Sequence, residues 1–324
     1  MADRALVTGA AGFVGLHLVR RLLEEGVDVV AVDDLSRGVL DADAQAVLRH
    51  AQFVEHDLTA PLPASIPACD EVFHLAAVVG VGNVTSAPAR VIGVNVAATA
   101  RVVEWCAVNP PRSFVFSSTS EVADGAVAAG LVPVPVAEDV PFVVAAPHSA
   151  RASYATSKVV GELLVSHAGI AGATRIVRFF NVYGPRMGTQ HVIPQFACRV
   201  LDGEDPFAIY GGENRRAFCH VDDAVAATLA VARHPGTDPS VVNVGDDREE
   251  VTMTELAATL FEVAGVARTL KVEPAPAGSP DRRCPDVSVL RHRIGYEATT
   301  CLRDGLARTF EWYARSRARD ALPA

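Results

Sequence analysis

Residues Leu6 to Gly15 read L-V-T-G-A-A-G-F-V-G, an apolar strand-like run that enters a turn with glycine at every third position and leaves it as a helix. Gly9 permits the tight turn, Gly12 lets backbone N–H groups and the positive helix end approach a pyrophosphate, and Gly15 lets helix and strand pack closely. A glycine string alone is weak evidence. Here the next strand-like run, Asp28 to Val32, ends in Asp33, 18 residues beyond Gly15, where a carboxylate accepts both ribose hydroxyls of an adenosine. The pair specifies a dinucleotide site. An acid at that point repels a 2′-phosphate, so NAD is expected over NADP, a preference that Arg37 softens without reversing.

The rest of the first 180 residues repeats the same unit. Gln52 to Glu55, Glu71 to Leu75, Ser113 to Ser118 and Thr174 to Phe179 read as continuous apolar strands. Between them lie helical patterns at Gly12 to Glu24, closed by Gly26, at Pro88 to Val108, closed by Pro110-Pro111, and at Arg151 to Ala168. Strands apolar on both faces and separated by helices imply a doubly wound parallel sheet of Rossmann type. Asp57-Leu58 after the third strand and His74-Leu75-Ala76-Ala77 after the fourth are then placed to line the dinucleotide. Beyond Asn181 the regularity breaks into loops with helices near Ile193 to Leu201, Asp222 to Ala232, Thr254 to Ala264 and Leu302 to Ser316. A smaller α/β substrate-binding lobe is expected over 181–324, with re-entry into the first sheet near 220–245 through the strand-like Ser240 to Val244. The Ala/Val/Pro-rich stretch Ala126 to Pro147 has no periodicity and reads as an extended loop.

Composition narrows the chemistry. A net charge of -9, from 29 basic against 38 acidic residues, argues against nucleic acid as the main partner, so any phosphate is held by local groups. No run approaches the ~18 uninterrupted apolar residues of a membrane helix. The six cysteines form no CxxC pair and no export signal opens the chain, which points to the cytoplasm. No His or carboxylate spacing suggests a metal site.

Only Lys158 and Lys271 are lysine, and Lys158 stands four residues after Tyr154 at the start of a helix, on the same face. A phenol with pKa near ~10 is a poor base, but a neighbouring ammonium and a positively charged nicotinamide both stabilise phenolate. Such a pair takes a proton from a sugar hydroxyl while hydride leaves the same carbon. Thr119, at the end of a central strand in Ser117-Ser118-Thr119-Ser120-Glu121, is placed to hydrogen-bond the reacting oxygen.

Thr8-Gly9-x-x-Gly12-Phe13-x-Gly15, Asp33-Asp34-Leu35-Ser36, Ser117-Ser118-Thr119, Tyr154-x-x-x-Lys158 and Arg178-Phe179-Phe180-Asn181-Val182-Tyr183-Gly184-Pro185-Arg186 together resemble the extended short-chain dehydrogenase/reductases that act on nucleotide-diphosphate sugars. The likeness covers almost the entire chain. It implies tightly held NAD, oxidation at C4 of the sugar, and a catalytic set of Thr119, Tyr154 and Lys158 with Ser120 and Glu121 beside them. The expected NAD contacts are Gly9, Gly12, Phe13, Val14, Gly15, Asp33, Asp34, Ser36, Arg37, Gly38, Asp57, Leu58, Leu75, Ala76, Ala77, Ser117, Tyr154 and Lys158. Substrate contacts are expected at Val81, Thr119, Asn181, Val192, Ile193, Tyr210, Arg216, Arg282 and Arg283. An acidic chain needs guanidinium forks for a diphosphate, although these arginines could instead pair with carboxylates such as Glu213 and Asp281. The resemblance also implies a homodimer in which the helices at Pro88 to Val108 and Arg151 to Ala168 meet their mates in a four-helix bundle.

Within the resembled group, dehydratases carry Asp-Glu after the threonine, and Ser120-Glu121 lacks that acid. Decarboxylases carry Thr-Ser-Glu and an Arg shortly before a Pro, matched by Thr119-Ser120-Glu121 and Arg283-Cys284-Pro285. The loop Ala76 to Gly82 resembles the epimerases instead. Val122-Ala123-Asp124-Gly125 stands where the group carries Val-Tyr-Gly. Epimerisation demands the fewest extra groups, so a UDP-sugar 4-epimerase is the expected activity, with UDP-glucuronate decarboxylase as the alternative. A non-catalytic NAD-binding protein of the same fold is disfavoured by the intact trio.

Overall fold

Strand β1 (Arg4–Thr8) runs straight into the glycine turn and helix α1 (Phe13–Glu24), and the winding continues through β2 (Asp28–Asp33), α2 (Ala42–Leu48), β3 (Gln52–Glu55) and β4 (Glu71–His74). Helices α3 (Val81–Ser86) and α4 (Pro88–Val108), strand β5 (Ser113–Thr119), a 3₁₀ turn (Ser120–Ala123), helices α5 (Asp124–Ala128) and α6 (Ala152–His167) and strand β6 (Ala173–Phe179) complete the first part. The computed structural model describes residues 3–276 and 278–320, and the side chains of Val81, Arg319 and Asp320 fall outside that description.

The second part runs through β7 (Val182–Tyr183), α7 (Val192–Leu201), β8 (Phe207–Tyr210), β9 (Arg215–Ala217), β10 (Cys219–His220), α8 (Val221–Arg233) and β11 (Val241–Val244). It ends with β12 (Glu250–Thr252), α9 (Met253–Ala264), β13 (Leu270–Glu273), β14 (Arg282–Arg283) and α10 (Leu302–Asp320).

The large sheet has seven strands, all parallel, in the order β11-β6-β5-β4-β1-β2-β3. Both faces are covered, as the unbroken apolar runs require. On β1, Ala5 and Val7 face the layer of α1 and α8, while Leu6 between them faces Val102 and Trp105 of α4 and Val165 of α6. Strand order reverses between β1 and β4, so the carboxyl ends of these two strands diverge into a crevice. His74, at the crevice end of β4, is fixed by Thr8 Oγ1 at 2.8 Å from Nδ1 and Thr99 Oγ1 at 3.2 Å from Nε2. Burial holds its pKa down to about 3, so the ring is a neutral structural strut.

β11 pairs with β6 through Val241 to Val244, which returns the chain to the large sheet after it has built part of the second lobe. That lobe has its own core, with Phe196, Phe207, Leu256, Leu260 and Leu306 at its centre and α7, α9 and α10 around it. α9 begins with a reciprocal capping box, Thr252 Oγ1 accepting from Glu255 N and Glu255 Oε2 accepting from Thr252 N.

Two features differ from the sequence expectation. The stretch expected to be extended from Ala126 begins inside α5, because Gly125 has no room for a side chain: a Cβ there would lie 1.8 Å from Val143 O, and this close approach packs the following loop onto the helix. α3 is the second, a single short helix behind Gly80, whose φ of +102° supplies the bend. Among the described residues α4 alone is long and apolar enough to cross a membrane, yet Val91, Ala98, Val102, Trp105 and Cys106 are buried within the fold. α6 lies close on β5 because a Cβ on Gly161 would come within 2.4 Å of the Phe116 ring.

Candidate active site

The crevice is built from the glycine turn outward. Gly9 has φ +69°, and a Cβ there would stand 2.8 Å from Ala76 N, so the turn and the β4 loop meet backbone to backbone. A Cβ on Gly15 would stand 2.0 Å from Gly9 O. Gly12 is the N-cap of α1 and brings no capping side chain, which leaves the amides of Phe13, Val14 and Gly15 without helical partners at the positive end of the helix. Asp33 is buried at the end of β2, with Oδ2 accepting from Ala11 N at 3.0 Å and Oδ1 from Leu35 N at 2.8 Å. Burial pushes its carboxyl pKa up against those two hydrogen bonds. Each oxygen keeps a further lone pair for a ribose hydroxyl. A Cβ on Gly38 would lie 2.9 Å from Asp33 Oδ1, so the loop after β2 closes on this carboxylate. Asp34 accepts from Ser36 N and Oγ at the rim. The cradle fits a dinucleotide with a free 2′-hydroxyl.

Other expected cofactor contacts fall into two groups. Leu75 N and Ala76 N bond Thr8 O and Thr8 Oγ1, which seats the Leu75-Ala76-Ala77 turn against Gly9. Asp57 caps the turn at Thr59 N, while Leu58 is a core residue. Arg37 reaches across the crevice: its Nη2 lies 3.6 Å from the point a Gly80 Cβ would occupy, and its charge is felt at Tyr154 and His191.

α6 carries Tyr154 and Lys158, the side chains expected to react. Lys158 is buried and donates to Ser117 O at 2.7 Å, with Nζ 4.9 Å from the Phe116 ring centroid. Burial lowers its pKa to about 7, opposed by the charge of Glu162. The Tyr154 phenol is pushed well above its usual range by burial and by Glu121, with the Thr119 hydroxyl bonded to it and Arg37 acting in the other direction. Thr119 Oγ1 also accepts from Glu121 N at 3.3 Å. The Glu121 carboxyl is raised chiefly by burial, against the charge of Arg283.

Sequence reasoning missed the support beneath these groups. Glu162, one further turn along the Tyr154–Lys158 face, takes a bidentate bond from Arg178 at 2.9 and 2.8 Å and a bond from Ser118 Oγ. The i, i+4, i+8 spacing was the available signal. Asn95 of α4 donates to Ser157 Oγ at 3.0 Å and ties the same helix from its other side.

The second lobe closes a cavity of about 410 Å³ over this end of the sheet, with Ser120, Asp124, Phe180 and Arg283 in its wall. β14 runs parallel to β9 with Arg283 opposite Arg216 and Arg282 opposite Arg215. The pleat therefore sorts the four arginines into two pairs. Arg282 and Arg215 meet Glu250, Arg282 by a bidentate bond at 2.7 and 2.9 Å. Arg283 pairs with Asp124, and Arg216 is held by the carbonyls of Arg215, Pro280 and Asp281. Both adjacent arginines line the cavity, and of the two Arg283 is the one bonded to Asp124. Asn181, at φ +43°, donates to Ala217 O at 2.8 Å and joins the lobes. Ile193 is buried in the second-lobe core, Val192 is half-buried beside it, and Tyr210 is 59% exposed at the end of β8. Val81 opens α3, with its side chain outside the described set. No cluster of metal-ligating side chains occurs among the described residues.

Residues 5–245 match the model of the NAD dependent epimerase/dehydratase family. The chain is 29% identical to a UDP-N-acetyl-alpha-D-glucosaminuronate decarboxylase of Bacillus cytotoxicus, over 97% of this chain and 98% of that protein. It is 31% identical to UDP-glucuronic acid decarboxylase 3 of Arabidopsis thaliana, over 94% of this chain and 86% of that protein. Among solved structures, the UDP-glucose 4-epimerase of Thermotoga maritima with UDP-glucose superposes with a TM-score of 0.84 at 29% identity, over 97% of this chain and 99% of that one.

The buried Lys158 gives the cofactor-free protein a defined pH response. Its pKa falls on folding, from the 10.5 of a free lysine side chain to about 7, so between those values the unfolded chain binds more protons and stability rises with pH. Measured by urea denaturation, the wild type is expected to gain about 1–3 kcal/mol relative to Lys158→Met between pH 7 and pH 10. Parallel stability curves would contradict the assignment.

Proposed function

The chain belongs to the NAD dependent epimerase/dehydratase family, and from that premise we propose that it oxidises C4 of a UDP-linked hexuronate and releases the C6 carboxylate as carbon dioxide. The observation that carries this reading is that Glu121 lies within electrostatic reach of both Arg283, in the cavity wall, and Tyr154, which is hydrogen-bonded to Thr119. Glu121 is electrostatically coupled to both Tyr154 and Arg283, and Arg283 Nε–H is buried with no acceptor. An unpaired buried donor costs free energy unless a ligand supplies the acceptor. A substrate carboxylate or phosphate oxygen does so.

When bound, NAD would supply a reversible acceptor for the C4 hydride, so that turnover leaves no net redox change. The cradle residues Gly9, Gly12, Asp33 and the α1 amino end would hold it. Tyr154 takes the O4 proton as the phenolate, a form that burial disfavours and that a cation beside it restores. Lys158 supplies part of that charge while Ser117 O fixes its position. Thr119 donates to the same oxygen. Once C4 is a ketone, the C5–C6 bond breaks, carbon dioxide leaves and the electron pair enters the C4 enolate. Glu121, whose raised pKa keeps its proton to higher pH than an exposed carboxyl, returns a proton to C5. Arg216 and Arg283 grip the anionic groups.

A second reading, 4-epimerisation, is favoured by one observation: Arg283 already has a carboxylate partner in Asp124. It uses the same first step and needs neither Glu121 nor a carboxylate at C6.

Purified protein offered UDP-glucuronate, UDP-N-acetylglucosaminuronate and UDP-glucose separates the two, with products read by mass and NMR. Carbon dioxide and a pentose nucleotide are expected from a uronate, and Tyr154→Phe should lower turnover by roughly 10²–10⁴ while leaving the fold intact. Conversion of UDP-glucose to an isomer of unchanged mass, with the uronates untouched, would make it an epimerase.

We also propose that a second copy of the chain packs on α4 and α6. These helices lie side by side over one sheet face and leave Ile92 and Leu163 38% and 48% exposed on the outside. Apolar arcs of this width are covered in most folds. Light scattering at micromolar concentration should give twice 34.1 kDa; a monomer would refute the dimer.

A further inference from the structure

Asp124 stands where the pattern of the resembled group has no acid, and its geometry in the cavity is fixed from three sides. It opens α5 directly after the 3₁₀ turn that carries Ser120 and Glu121. Gly125, which tolerates no Cβ against Val143 O, pins the backbone behind it. In front, its Oδ2 accepts from Arg283 Nη2 at 2.5 Å. The Arg283 guanidinium has a side-on edge of two donors, Nε and Nη2. Arg178 and Arg282 each spend that edge on both oxygens of one carboxylate. Arg283 spends only half of it: Nη2 is taken by Asp124, and Nε is buried without a partner.

The other charges around this position are Arg216, in register with Arg283 on β9, Glu121, one turn back toward Thr119, and Asp281 and Arg282 in the same cavity wall. A fully engaged Arg283 would offer a substrate carboxylate two parallel donors. Shared with Asp124, it offers one, and it offers that one beside a fixed negative charge.

We propose that Asp124 is a specificity-determining residue of the sugar subsite: by occupying half of the Arg283 edge it weakens the grip on a carboxylated sugar relative to a neutral one, and so broadens the sugars that this pocket accepts. This rests on the reading of the cavity as the site for the sugar of a UDP-sugar. It does not depend on which product forms. In Asp124→Asn the neutral amide no longer repels a substrate carboxylate and holds Arg283 without a charge, so that a carboxylate competes for both donors of its edge, while contacts to a neutral sugar change little.

The test is calorimetric binding of UDP, UDP-glucose and UDP-glucuronate to the NAD-loaded protein, wild type against Asp124→Asn and Asp124→Ser, with thermal melting to establish that each variant folds. The expected result is that UDP-glucuronate binding tightens by on the order of 10-fold in both variants while UDP and UDP-glucose move by less than about 3-fold. Equal changes for all three ligands, or weaker binding throughout, would overturn the proposal and make Asp124 a structural anchor for Arg283. Failure of the underlying reading looks different: no UDP-sugar then binds more tightly than UDP, even to the wild type.

Discussion

The buried ion pair between Arg178 of β6 and Glu162 of α6 holds Tyr154, Lys158 and Thr119, the groups proposed to react, where they are. Both side chains are almost fully buried, at 5% and 4% exposure, and the pair is bidentate with Ser118 of β5 added as a third partner. One carboxylate thereby joins two adjacent strands to the helix that carries Tyr154 and Lys158. Removing either charge would strand the other in the interior, at a cost of about 3–5 kcal/mol. The close approach of Gly161 to Phe116 completes the docking. The hydroxyl of Thr119, on β5, and the phenol of Tyr154, on α6, meet because these contacts set the distance between strand and helix.

The site fixed in this way is electrostatically unsatisfied. Burial drives Lys158 toward its neutral form and Tyr154 further into its neutral form, the reverse of what proton abstraction from a sugar hydroxyl needs. A cationic ring held at the crevice would answer the tyrosine's demand, since it favours phenolate and is itself favoured by the anion. The same logic applies across the cavity, where Arg283 keeps an unmatched Nε–H and Glu121 keeps a raised pKa. Perturbed groups of this kind cluster at functional sites.

The parts legible in the sequence are those set by local pattern. The glycine turn, Asp33 and the Tyr154–Lys158 spacing each declare a backbone or side-chain demand within a few residues, and continuous apolar strands announced a parallel sheet. The return of Val241 to Val244 to that sheet was visible for the same reason. What was not legible depends on partners far along the chain. Arg282 and Arg283 are adjacent and identical, and only their register against Arg215 and Arg216 decides which meets Glu250 and which meets Asp124. A two-residue strand has no periodicity to read. Ile193 is as apolar as a pocket residue would be, but α7 turns it into the second-lobe core. Tyr210 is left exposed because β8 lies beside β13 at the outer rim. Asp124 was noticed as a departure, yet its partner lies 159 residues away.

The central claim is that one carbon of the sugar lends its hydride and receives it back, with Tyr154 and Lys158 handling the proton on the same oxygen. Following deuterium placed at C4 of UDP-glucuronate and of UDP-glucose, with no nicotinamide added, tests that claim most directly. The account predicts that whichever sugar is turned over yields a product with the deuterium still at C4. Loss of the label to solvent, or turnover that requires one added nicotinamide for each product formed, would contradict it.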